Sequence, residues 1–215
     1  MKEKNIIDVC GHPLMSYSIR DACELKRNGL VSDVIVSTDC NKVANIAREY
    51  GATVPFLRPK EISGDSAKSI DFIVHALDYF QGNGTIYDSV LLLQPTSPIR
   101  GVGFLTKAIK MFEASSVDSL ISCYKEEYVN DLVMYHKINK YLQPLNLMHN
   151  KGVRRQDHGE VYVRNGSIYI VNVSYLIETK QIISDTPLLI EMSKSDSINV
   201  DTLEDLYFLQ ERLCK

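Results

Sequence analysis

Val90-Leu91-Leu92-Leu93-Gln94-Pro95-Thr96-Ser97-Pro98-Ile99-Arg100 joins an apolar run to an abrupt polar ending that two prolines hold in place. The run shows no alternation, so both of its faces are expected to be covered, as in a parallel strand of an α/β sheet. Ligands of such sheets bind at the carboxyl ends of the strands. There, Gln94, Thr96 and Ser97 offer an amide and two hydroxyls, while Pro95 and Pro98 fix φ and stop a strand or helix from continuing. Taken alone, the segment reads equally well as a rigid strand-to-helix turn.

Outward from this strand, apolar patterns alternate between strand and helix. Residues 33–38 read as a strand. Residues 41–50 read as a helix with Val43, Ile46, Ala47 and Tyr50 inward, and 53–57 as a second, shorter strand. Asp65 or Ser66 can cap a helix running to Phe80, whose inner face carries Ile70, Ile73, Val74 and Leu77. After the quoted strand comes a helix over 102–114 with Leu105, Ala108, Ile109 and Phe112 inward, then a strand over 119–124. This order predicts an α/β, doubly wound, mostly parallel sheet covered on both sides. Past Tyr124 the pattern breaks: 132–136 and 141–145 flank Asn139-Lys140 as a hairpin, and a polar basic loop follows. Strands over 167–173 and 188–192 resume the sheet, and a helix over 202–213 closes the chain with Leu203, Leu206, Leu209 and Leu213 inward.

The 215 residues suit one domain with a sizeable core and a small appendage. A net charge of −3 offers no basic field for nucleic acid or an acidic membrane, and an anionic substrate needs a local basic pocket. The five cysteines lie far apart without C-x-x-C or zinc spacing, which favours reduced thiols and a cytoplasmic protein. No run is long enough to span a bilayer, and the start lacks a leader's apolar region. The histidines are too scattered for a histidine-built metal site.

Five motifs occur in order along nearly the whole chain. They are the quoted segment, Val36-Ser37-Thr38-Asp39, Phe56-Leu57-Arg58-Pro59, Arg164-Asn165-Gly166-Ser167-Ile168-Tyr169 and Ile198-Asn199-Val200-Asp201-Thr202. Together they resemble the acylneuraminate cytidylyltransferases, or CMP-sialic acid synthetases. The resemblance implies a nucleotide-diphospho-sugar transferase-like fold in which residues 1–124 and 159–215 form the nucleotidyltransferase domain. Residues 125–158 would be an inserted dimerisation arm. It also implies the reaction: CTP and a nonulosonic acid (N-acetylneuraminic acid or a close bacterial analogue) give a CMP-sugar and pyrophosphate, with Mg2+ as cofactor.

The resemblance carries over residue by residue. Asp201 matches a metal-binding, catalytic aspartate. Asn199 matches a position that is Asp in some members, and as an amide it brings an oxygen without charge. An N-cap on the last helix explains Asp201 as well, with Thr202 competing for that role. Arg58, also catalytic, is suited to phosphate oxygens; Lys4, Asn5, Ala67 and Ser69 match nucleotide contacts. Gln94 and Tyr169 match the sugar side, and Arg155 matches an arginine suited to the sugar's carboxylate; these three favour a nine-carbon acid over Kdo. In the family a strand and a phosphate-gripping loop precede the Lys-Asn pair that here is Lys4-Asn5, so the chain is expected to start after both, with a gap or open edge in the sheet. The alternative reading is a catalytically impaired short form serving as a nucleotide-binding or dimer-partner subunit. A dinucleotide-binding oxidoreductase is disfavoured, because Gly101-Val102-Gly103 lacks the third glycine of G-x-G-x-x-G.

Overall fold

The computed structural model describes residues 1, 3–64, 67–152 and 159–214. In chain order the elements are β1 (Asp8–Val9), β2 (His12–Pro13), α1 (Leu14–Arg27), α2 (Asn41–Glu49), α3 (Ser69–Gly82), β3 (Ser89–Leu93) and α4 (Val102–Glu113). They continue as β4 (Ser119–Glu126), β5 (Tyr135–Ile138), β6 (Tyr141–Pro144), β7 (Val161–Asn172), α5 (Val173–Thr179), β8 (Leu188–Glu191) and α6 (Leu203–Leu213).

The central sheet has the order β3-β7-β4-β8. Alternate residues of β3 enter opposite cores, which explains its unbroken apolar run. Leu91 and Leu93 pack with Leu25 of α1, Leu105, Ala108, Ile109 and Phe112 of α4, and Ile168 and Ile170 of β7. Val90 and Leu92 pack with Ile73 of α3, Val171 and Leu176. Helices therefore cover both faces, as a doubly wound α/β fold requires.

The direction of one strand departs from expectation. β7 is antiparallel to both β3 and β4, while β4 and β8 are parallel. An apolar run reports burial on two faces, and burial is the same for either strand direction. Among the described residues β3 pairs on one side only, and its apolar residues stay half-buried. Residues 33–38 and 53–57 are extended but share only the parallel bridge Ile35–Thr53, with Val36 N–H donating to Thr53 O at 3.0 Å and Thr53 N–H to Val34 O at 2.8 Å. They do not form the two strands read from sequence, since no ladder joins them to the four-stranded sheet.

Other boundaries shift for local reasons. α3 begins at Ser69, where Lys68 N–H donates to the Asp71 carboxylate at 3.0 Å; the expected caps Asp65 and Ser66 lie outside the described residues. Leu203 is 71% exposed, because the core under α6 ends at Leu206 and Leu209. β5 and β6 form the expected hairpin, turning at Asn139 with φ 56°. At its base Glu126 is buried; the Lys194 ammonium and the N–H groups of Tyr128 and Val129 hold its carboxyl down to about 2.

Cys10 and Cys214 form a disulfide, correcting the expectation that all thiols are reduced; Cys23, Cys40 and Cys123 are free. Their separation of 204 residues hid the pairing, which arises because the β1–β2 turn and the end of α6 share a core with Val9, Leu14 and Val200. Opening so long a loop is expected to cost about 2–4 kcal/mol. Cys10→Ser, or dithiothreitol on the native chain, should therefore lower Tm by roughly 5–15 °C. Scanning fluorimetry checks this, and the variant's Tm should not respond to reductant.

Candidate active site

β3, β4 and β8 all run toward one edge of the sheet, and the antiparallel β7 brings its first half to the same edge. There Ser97 N–H donates to Gln94 O at 3.2 Å, closing the proline-bounded turn. Beside it β7 bulges: two steps along β4, Ile121 to Cys123, answer five along β7, from Tyr169 back to Arg164. Gly166, in the bulge, has φ +74°, which favours glycine, and a Cβ there would lie 3.5 Å from Gln94 Oε1, 3.8 Å from the Tyr169 hydroxyl and 3.9 Å from Ser97 Oγ. The absent side chain thus leaves a small space onto which an amide, a phenol and a hydroxyl converge. Burial pushes the Tyr169 hydroxyl's pKa up, so it remains a neutral donor and acceptor.

Asn165 holds the bulge. Its Oδ1 accepts from Ser122 Oγ at 2.6 Å and Ser167 N–H at 3.1 Å, and its Nδ2 donates to Ser197 Oγ at 2.8 Å. Arg100, 7% exposed, braces the turn from beneath: Nη1 donates to Ser167 O at 2.7 Å and Nη2 to Gln94 O at 3.1 Å and to Ser18 Oγ of α1. Burial lowers its pKa to about 10, so it is still a cation at neutral pH. Asp21 of α1 is the charged group coupled to it; burial outweighs Arg100 and raises that carboxyl to about 6.

The loop after β8 docks on the same turn. Val200 N–H donates to Thr96 O at 2.8 Å, and Ser97 Oγ lies 3.4 Å from Asn199 Oδ1. Asp201 follows, 60% exposed at its side chain, and Lys4 Nζ stands 2.8 Å from its Oδ1. Asn199 turns its amide nitrogen toward Asp201 Oδ2 and its oxygen toward Ser97. Thr202 caps α6, its Oγ1 accepting from Asp205 N–H at 3.2 Å while the Asp205 carboxylate takes the N–H groups of Asp201 and Thr202. The Asp201 carboxylate is therefore not consumed in capping.

Arg58 belongs to a second group. Its Nε donates to Ser63 Oγ at 3.0 Å, Nη2 lies 4.0 Å from Asp39 Oδ1, the guanidinium stacks 5.4 Å from the Phe72 ring, and its backbone N–H donates to Thr38 O. Ser69 opens α3, and Ala67 N–H donates to Gly64 O at 2.9 Å. Asn5 shares a helical turn with Lys4. Thus Gln94, Tyr169 and Ser97 converge at Gly166, contacts run from Ser97 through Asn199 and Asp201 to Lys4, Arg58 stands in a second group, and Arg155 falls outside the described residues. Sequence reasoning missed the supports Arg100 and Asn165; a charged residue just past a proline turn was the available cue.

For a divalent ion the described residues offer no group of three or more His, Cys, Asp or Glu. A carboxylate and an amide at an open loop fit instead an ion that keeps waters and binds substrate phosphates. The Asp201 carboxylate already meets the Lys4 ammonium.

The fold and this strand-end edge define a nucleotidyltransferase. A family model described as Cytidylyltransferase matches residues 1–186, and the chain belongs to that family. The pseudaminic acid cytidylyltransferase of Campylobacter jejuni is 30% identical over 95% of this chain and 87% of that protein. The CMP-N,N'-diacetyllegionaminic acid synthase of Legionella pneumophila is 31% identical over 98% and 88%. Among solved structures, a CMP:2-keto-3-deoxy-manno-octonic acid synthetase complexed with CTP superposes with a TM-score of 0.68 at 14% identity, covering 98% of this chain and 91% of that one; this speaks to the fold.

Arg100 satisfies acceptors on β3, β7 and α1 at once, and a lysine ammonium cannot reproduce that planar fork. Arg100→Lys should lower unfolding free energy by about 2–3 kcal/mol in urea titrations.

Proposed function

We propose that this protein joins a nonulosonic acid to CMP, using CTP and Mg2+ and releasing pyrophosphate. The sugar is N-acetylneuraminic acid or a close bacterial analogue, with the pseudaminic and legionaminic acids favoured by the names of the two relatives. The observation that carries this reading is the docking of the Asn199-Val200-Asp201 loop on the Gln94–Ser97 turn, which sets a cation-seeking carboxylate beside a cluster of uncharged sugar-type contacts.

In this reading the sugar's anomeric oxygen attacks the α-phosphorus, and the bond to the β-phosphate breaks. Gln94 and Tyr169, with Ser97 beside them, orient the sugar's hydroxyl and acylamino groups, and Arg155 receives its carboxylate. Arg58 grips phosphate oxygens with paired donors, while Lys4, Asn5, Ala67 and Ser69 hold the rest of the nucleotide. Asp201, with the Asn199 amide oxygen beside it, would hold the magnesium. The bound ion would neutralise phosphate charge as the displacement proceeds. Alignment and charge, with no covalent intermediate, suffice for such a transfer.

Residues 125–158 are proposed as a dimerisation arm on the nucleotidyltransferase body of 1–124 and 159–215. Leu142 and Tyr141 are each 67% exposed and Leu147 83%, an apolar content that a solvated hairpin does not need. A second copy of the chain is the proposed cover. Dependence on CTP supports a cytoplasmic site of action; no described helix is long and apolar enough to cross a membrane.

The direct test supplies sialic, legionaminic, pseudaminic and Kdo acids separately with CTP and Mg2+ and detects the CMP-sugar by mass spectrometry. A nine-carbon product is expected, and turnover of Kdo alone would overturn the sugar assignment. Asp201→Ala should reduce turnover at least 100-fold with Tm held within about 2 °C, because Thr202 carries the cap. The double variant Leu142→Glu, Leu147→Glu should run as a monomer in light scattering while its circular dichroism is unchanged.

A further inference from the structure

We infer that Lys4 is a stand-in cation: its ammonium seats on Asp201 while the site is empty and passes to the nucleotide's phosphates when a divalent ion takes that carboxylate. This rests on the proposed reading of Asp201 as the metal ligand and adds a device that controls the same site.

Both Asp201 oxygens are taken in the structure. Lys4 Nζ donates to Oδ1 at 2.8 Å and Asn199 Nδ2 to Oδ2. A carboxylate intended for a metal is thereby satisfied by two donors from its own chain, one of them charged. The pair is placed so that it can be exchanged. The Asp201 side chain is 60% exposed and that of Lys4 26%, and an ion pair in such a setting contributes little net stability. A divalent ion can displace it, which a fully buried partner would not permit.

The backbones on both sides are fixed. Ile7 N–H donates to Lys4 O at 3.2 Å, Leu14 N–H to Ile7 O at 2.9 Å, and Asp201 N–H to Asp205 Oδ2 at 3.0 Å. The movement is therefore confined to the lysine's four-carbon stem and the Asn199 amide. The Lys42 ammonium is engaged by Glu3, whereas that of Lys4 faces Asp201. The exchange keeps a cation on the carboxylate: the ion takes the place of the ammonium, and the ammonium's positive charge is freed for the phosphates that arrive with the ion. Turning the Asn199 amide, whose nitrogen Asp201 no longer needs, presents a second oxygen to the ion.

The test uses the full chain without nucleotide and Mn2+ as probe, with free Mn2+ read by electron paramagnetic resonance, alongside CTP binding by calorimetry in chelator. Lys4→Met should bind Mn2+ about two- to five-fold more tightly than the native chain, because the competitor is gone, and should bind CTP more weakly. A merely structural lysine would move neither affinity or weaken both. Lys4→Arg, which keeps the charge, should leave Mn2+ affinity near native, and Lys4→Gln replaces the Met variant if that one melts early. Unchanged or weaker Mn2+ binding by Lys4→Met, with binding abolished in Asp201→Asn, overturns the inference and leaves the metal reading standing. Native Mn2+ binding by Asp201→Asn overturns both.

Discussion

One buried guanidinium sets the frame of the site. Arg100 reaches the end of β3 through Gln94 O, the bulge of β7 through Ser167 O and helix α1 through Ser18. The acceptors lie in the turn after β3, in β7 and in α1, and the turn so braced carries Gln94 and the buried Ser97. Burying a charge costs several kcal/mol unless its donors are satisfied. The cost is offset in part here because the two terminal nitrogens of the guanidinium meet the Ser167 and Gln94 carbonyls and the Ser18 hydroxyl, while Nε has no partner among the described residues. The raised pKa of Asp21 fits the same balance: at this depth desolvation weighs more than the nearby opposite charge.

What could be read from sequence follows from what periodicity encodes. The helix over 102–113 was legible because Leu105, Ala108, Ile109 and Phe112 repeat at helical spacing and all four are buried. The quoted strand was legible because each of its faces meets a core. Its direction was not, since hydropathy is blind to the sense of a strand, and the antiparallel β7 followed from the chain's path. Leu203 matched the apolar period of α6, yet the core stops one turn short of it. The pairing of Cys10 with Cys214 depends on where the two ends of the chain meet, which no local pattern contains.

For the site, the motifs marked the groups that face outward, and the structure adds those that hold them. Gln94 and Asp201 lie at the ends of elements, where polar residues interrupt apolar runs and are easily seen, while Tyr169 lies buried within β7 and was marked by its motif. Asn165 spends its whole amide on Ser122, Ser167, Ser197 and Met192, and a satisfied buried amide leaves no trace in composition. The orientation of Asn199 was equally hidden: the residue type says that an oxygen is present, and only the neighbouring Ser97 and Asp201 decide where it points.

Both ends of the chain build the carboxylate's surroundings. Lys4 meets Asp201, the Gln210 amide donates to Asp8 O, and Cys10 joins Cys214, so residues near the start are tied to residues about 200 positions later. Between these ties lies a core of Val9, Leu14, Val200, Leu206 and Leu209. Contacts of such separation close long loops, and the entropy of that closure is borne by the packing between them. The strand-end turn rests on β3 and β7, whereas the Asp201 loop stands between the joined ends. The Gln94–Ser97 half of the edge thus belongs to the sheet, the Asp201 half to the joined ends of the chain, and Val200 N–H on Thr96 O is where the two halves are joined.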